Sequence, residues 1–266
     1  MLALILGGVI GVVLGLTGAG GGILAVPALV IGLGWPMTQA APVALLAVGA
    51  AAAVGAIDGL RKGIVRWRAA LLMAGLGTLF TPLGLLMAHR LPEHLLVALF
   101  CGVLLIVAWR MFSQSREATC AGSGIDHGWE QKNCMLNDRT GRLNWTLRCS
   151  ITLSVVGSCC GFLTGLLGVG GGFLLVPAFR QLTDIRVHGI IATSLMVIAL
   201  VSGMAVVGAL HAGVRIPLDG AMFIAASVAG MVAGRALSPK VPARVLQVGF
   251  AGLCVVVAAY LAISLA

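Results

Sequence analysis

The chain has 266 residues, 60% of them hydrophobic and 9% charged. A soluble domain carries about 25% charged residues, so this composition excludes a soluble enzyme or binding module and indicates an all-α polytopic membrane protein. The net charge of +9 comes from 17 Lys and Arg against 8 Asp and Glu. With no dense basic tract carrying interleaved aromatics, it does not indicate nucleic acid, and the cations between apolar runs act as topology signals.

In chain order, apolar runs occupy 2–16, 23–34, 39–57, 69–88 and 95–112. The polar stretch 113–148 follows, and then runs at 149–167, 171–179, 189–210, 217–237 and 244–266. A helix needs ~20 residues to cross a bilayer. The runs 2–16, 23–34 and 171–179 are too short to cross alone. The opening "MLALILGGVIG" has no basic start and no small-residue cleavage site, so it reads as a retained membrane segment.

The stretch "GLTGAGGGILAVPAL" from Gly15 returns as "GLLGVGGGFLLVPAF" from Gly165, with ten of fifteen residues identical. At the same shift of 150, Gly63 falls on Gly213, Gly84 on Gly234, Pro92 on Pro242 and Phe100 on Phe250. The chain is therefore a tandem repeat: a first transmembrane repeat at 1–112, a polar linker at 113–148 and a second repeat at 149–266. Such duplication is a common plan among secondary transporters.

Basic residues choose the topology. If each glycine-broken segment reverses inside the membrane, the loop 61–68, the linker and the loops 180–186 and 235–244 share one side. With Arg110, at the end of the run that leads into the linker, they hold fifteen of the seventeen Lys and Arg, leaving Arg90 and Arg215 opposite. The positive-inside rule then favours two inverted repeats, each a re-entrant hairpin plus three transmembrane helices, with the linker cytoplasmic. Eight simple spans would divide the cations six to eleven.

A chain that reverses inside the bilayer needs surrounding protein or a water-filled cavity. The triplets Gly20, Gly21, Gly22 and Gly170, Gly171, Gly172 each precede a new apolar run. They would head a half-helix whose free N–H groups carry the positive end of the helix dipole. Two such ends meeting near the midplane make an anion site without a buried Lys or Arg. Close helix packing is the competing use of these glycines. Pro27 and Pro177 would set the angle of the half-helices.

Thr17, Thr193 and Ser194 are the hydroxyls placed to line a substrate path, with back-bonding to their own helices as the alternative. The repeat partners of Thr193 and Ser194 are Val43 and Ala44. Asp58 is the acidic candidate for a proton relay, and an interfacial position is its alternative. Trp35, Trp67 and Trp109 read as interfacial anchors. No metal-like CxxC pair occurs. Cys101, Cys159, Cys160 and Cys254 read as small core residues, while Cys120 and Cys134 flank His127 with too few ligands for zinc. No nucleotide-binding motif is present, and no cofactor or metal is expected.

The paired glycine motifs resemble those of the TauE/SafE family of sulfite exporters. "IATSLMVIALVSGMAVVGALHAGVR" is similar to that family's "GTSL" span and the loop after it. The first half departs from the pattern, with "APVALL" where "ATSL" would stand, and the linker is long. The resemblance implies export of sulfite, organosulfonates and related sulfur anions across the bacterial inner membrane. The anion is read from the glycines; the sulfur comes from the resemblance. A secondary transporter of a small sulfur-containing oxyanion is the leading expectation. A membrane-embedded sulfur-handling enzyme and a non-transporting assembly subunit are the alternatives. A coupling ion, proton or sodium, and a homodimer are compatible with the leading reading.

Overall fold

The computed structural model describes residues 1–18, 21–120, 146–169, 171–182, 187–211, 217–237, 249, 251–252 and 254–260. At some of these, including 111–120, it describes the backbone alone. Gly20, Gly170, Cys134 and most of the linker lie outside them. The described residues are helical throughout their regular structure, with no strand among them. The helices are α1 (Leu2–Thr17), α2 (Gly22–Leu33), α3 (Met37–Arg61), α4 (Trp67–Arg90), α5 (Glu93–Cys120), α6 (Leu147–Leu167), α7 (Gly172–Leu182), α8 (Val187–His211) and α9 (Leu218–Leu237). Residues 254–260 are also helical. Helix α5 continues past residue 112, where the apolar run ends.

Among the described residues, five helices are long and apolar enough to cross a membrane: α3, α4, α6, α8 and α9. Helix α1 has 16 residues and α2 has 12, and both fall short. Helix α6, the repeat counterpart of α1, reaches 21 residues. The extra length is the start "LRCSI".

Two helices occupy the centre. Along α3, Ala40, Ala44, Ala47, Ala51 and Ala52 are fully enclosed. In α8, so are Ala192 and Leu195. These helices pack against each other, with Gly49 facing Ser202 and Gly59 facing Ala192. One index rises as the other falls, so α3 and its repeat counterpart run antiparallel. Leu79, Leu83 and Leu86 of α4 and Leu105 and Ile106 of α5 point outward. In lipid those large apolar faces need no polar cover.

The outer helices pair across the repeats. Gly7, Gly11 and Gly15 of α1 lie against Phe223, Ser227 and Met231 of α9. Gly157, Gly161 and Gly165 of α6 lie against Met73, Gly77 and Thr81 of α4. Both pairs run parallel, and each maps onto the other when the repeats are exchanged. Glycines spaced by four give a smooth stripe that lets two backbones approach closely, the usual means of helix association where lipid is the solvent. Thr81 Oγ1 adds a bond across the second seam, donating to the carbonyls of Gly77 at 2.7 Å and Gly161 at 3.2 Å.

Candidate functional site: two glycine turns that meet

Helix α1 stops at Gly18, whose φ of 78° lets its N–H reach the Leu14 carbonyl at 2.8 Å. Helix α6 stops the same way at Gly168, with φ 69° and a 2.9 Å bond to Thr164. A left-handed residue after the last helical turn is a position that glycine fills without steric cost. These two glycines, rather than the triplets, end the incoming helices. The one mark they carry in the sequence is their recurrence at a shift of 150.

The chain then doubles back. A Cβ on Gly21 would lie 2.5 Å from the backbone nitrogen of Leu14, and Gly32 faces Leu6. Residue numbers rise along α2 as they fall along α1, so the two form an antiparallel hairpin whose entrance and exit share an end. Gly171, with φ 55°, lies against Cys160 and Thr164 in the matching place of the second repeat. Gly21 and Gly171 thus have a packing duty: their Cα atoms face the incoming arm of their own hairpin.

The two turns come together. A Cβ on Gly22 would stand 3.0 Å from the Val169 carbonyl oxygen and 3.1 Å from Val48 Cγ1, midway along α3. Gly18 packs on Ile191 of α8, and Gly168 packs on Ala41 of α3. Each tip therefore rests on a central helix of the other repeat. Helices α2 and α7 begin at this meeting point, and neither Gly21 nor Gly171 has a side chain to cap them. Pro27 is buried inside α2, where its ring removes one backbone donor.

The hydroxyls are committed to their own helices. Thr17 donates to Val13 at 2.7 Å, Thr193 to Gly189 at 2.7 Å and Ser194 to Ile191 at 2.9 Å. Thr164, the hydroxyl beside the second turn, donates to Cys160 at 2.7 Å. Thr193 Oγ1 also accepts the backbone N–H of Arg66 at 3.1 Å. Asp58 is near the end of α3, paired at 2.9 Å with both Lys62 and the Nε of Arg235. Arg235 also donates to the Gly55 carbonyl at 2.6 Å, so this triad ties α3 to α9. Arg68 lies over the exposed ring of Trp67, 5.2 Å from its centroid, as expected of an interfacial pair. Cys101, Cys159, Cys160 and Cys254 are free thiols. No group of metal-binding side chains occurs among the described residues.

Paired glycine-turned hairpins, enclosed by membrane-length helices from both halves, define a multi-pass membrane protein whose two turns meet inside it. The chain belongs to the sulfite exporter TauE/SafE family, whose model matches residues 3–261. It is 31% identical over 194 residues to a probable membrane transporter protein of Xylella fastidiosa strain 9a5c, covering 72% of this chain and 67% of that one. A probable membrane transporter protein of Xylella fastidiosa strain Temecula1 aligns with the same identity and coverage. No solved structure matches. The family and these relatives are membrane transporters rather than enzymes.

Proposed function

We propose that this transporter carries a small sulfur-containing oxyanion, of the sulfite or organosulfonate class, across the bacterial inner membrane as a secondary transporter. The anion rests between the two turns, on backbone N–H groups of Gly20, Gly21, Gly22, Gly170, Gly171 and Gly172. The observation that carries the reading is the approach of Gly22 to Val169, which brings the starts of α2 and α7 into one neighbourhood. A helix N-terminus stabilises a nearby negative charge by about 0.3–1 kcal/mol when exposed and up to ~2 when partly buried. Two converging ends supply enough for weak binding and release. Thr17, Thr193 and Ser194 flank this path, and their donors would have to leave helix carbonyls to reach an anion.

The repeats are inverted in this reading. The antiparallel run of α3 and α8 and the return of α2 along α1 support it, as do the fifteen cations assigned to one side. The linker and the loops after α3 and α7 are then cytoplasmic. Alternating access would rock the two halves about the central crossing. Sulfite counterflow in proteoliposomes tests the function. Preloaded sulfite should accelerate labelled sulfite entry, and an absence of counterflow across a panel of sulfur oxyanions would remove the proposal.

A further inference from the structure

At the corner where the chain between α3 and α4 crosses α8, a charged side chain carries a donor without an acceptor. The Arg66 backbone is tied to Thr193 Oγ1. Its side-chain Nε is buried and has no hydrogen-bond partner. Lys62–Asp58 and Arg235–Asp58 are the nearby ion pairs, and neither involves Arg66. Asp58, the acid closest in sequence, is already shared by two cations. A buried donor left unpaired is costly, and a guanidinium is always charged and shaped to hold an oxyanion.

The corner occurs in one repeat only. At the shift of 150, Arg66 falls on Ile216 and Thr193 falls on Val43, two aliphatic side chains that cannot form this arrangement. The cation of the second repeat, Arg215, stands one position earlier, opposite Val65. Position links the corner to the glycine turns. Thr193 is two residues from Ile191, and a Cβ on Gly18 at the tip of the first hairpin would lie 2.9 Å from Ile191 Cβ. Residues two apart point to different sides of a helix, so Arg66 meets the same turn of α8 as Gly18 but on another side, in the segment between α3 and α4 that also carries Arg61, Lys62 and Arg68.

We propose that Arg66 is an oxyanion-collecting residue at one mouth of the path, binding the anion before it reaches the glycine turns, with Thr193 as its positioning residue. This rests on the transport reading above, and it adds a side-chain subsite that only one end of the path possesses. Collection by a fixed charge raises the local anion concentration and weakens with ionic strength.

The test uses the full chain, both in proteoliposomes and in detergent. In proteoliposomes, Arg66→Gln should raise the KM for sulfite on the order of tenfold while kcat stays near wild type, and the gap should narrow at high salt. Arg66→Lys should recover part of the loss, and Arg68→Gln should match wild type. Thr193→Val should raise KM without adding to Arg66→Gln in the double variant, whereas Thr193→Ser, which keeps the hydroxyl, should recover most of that loss. In detergent, sulfite or sulfate should raise the Tm of wild type and Arg68→Gln more than that of Arg66→Gln. If wild type moves no sulfite but this Arg66-dependent shift persists, the transport reading fails and the oxyanion site stands. Equal shifts in wild type and Arg66→Gln overturn the proposal. An Arg66-dependent shift given by phosphatidylglycerol, but by no free anion, makes the corner a lipid headgroup site and equally overturns it.

Discussion

A Cβ built on Gly22 would stand 3.0 Å from the carbonyl oxygen of Val169, so the first residue of α2 touches the turn of the other repeat. The gap is tight, but no atom comes nearer than 3.0 Å and the backbone there is not left-handed, which makes Gly22 the better probe of the proposed site. We expect Gly22→Ala to insert and purify with a small change in Tm. It should lose anion affinity by up to about 2 kcal/mol, roughly thirtyfold. Sulfite binding by thermal shift and counterflow measures this. Normal transport by Gly22→Ala would mean the meeting point is packing alone.

Gly21→Ala and Gly171→Ala should fail differently. Their new Cβ atoms would enter the backbone of α1 and α6, at 2.5 Å from Leu14 N and from the Cys160 carbonyl oxygen. Overpacking of this kind costs about 1–3 kcal/mol, and the left-handed backbone at Gly171 adds about 1–2 for an L-residue. Both variants should lose thermal stability before any effect on the anion can be read, with Gly171→Ala the worse. An unchanged Tm in both would refute the hairpin geometry.

Much of this architecture was legible in the sequence for a simple reason: duplication doubles every local signal. A single glycine cluster is ambiguous, but two at a constant shift, each beside a run too short to cross, indicate a hairpin. The pairing of α1 with α9 and of α4 with α6 was not legible. The stripe Gly7, Gly11, Gly15 announces a close neighbour but carries no mark of which helix it is. Nor do Gly18 and Gly168 stand out as helix ends, because a left-handed φ leaves no mark in a stretch where glycines are this dense. Thr193 was read as a path residue, and the structure adds a bond to Arg66 that no local pattern encodes.

The topology yields its own test. Cysteines introduced at Ser115 and Gln181, in a background free of other cysteines, should both resist a membrane-impermeant thiol reagent in intact cells. Both positions then label after permeabilisation. Labelling of one but not the other in intact cells would restore eight simple spans.

Asp58 is expected to be structural. Its carboxylate is shared by Lys62 and Arg235, and exposed pairs contribute about 0.2–1 kcal/mol. Asp58→Asn should therefore lower stability slightly, and a double-mutant cycle with Arg235→Gln should return a coupling in that range. Transport should persist, with the same profile against external pH as wild type. Loss of pH dependence in Asp58→Asn would restore the proton-relay reading.

Cys101, Cys120, Cys134 and Cys254 should be dispensable for transport. Cys101 and Cys254 are buried thiols away from both turns. A variant carrying Cys120→Ser and Cys134→Ser should transport as wild type. Loss of activity, tracked by counterflow with and without a chelator, would assign the linker a metal or redox role.

The exchange of outer helices between the repeats constrains how the protein can be made. The glycine stripe of α1 finds its complement on α9, which emerges after every helix from α2 to α8. Through most of synthesis that stripe faces lipid or a chaperone of the insertion machinery. Severing the chain in the linker would leave each half without the helix its first arm leans on, so neither should mature alone. Co-expressed halves could recover the fold only by finding each other in the membrane, as an ancestral pair of single repeats would have had to do before they were fused.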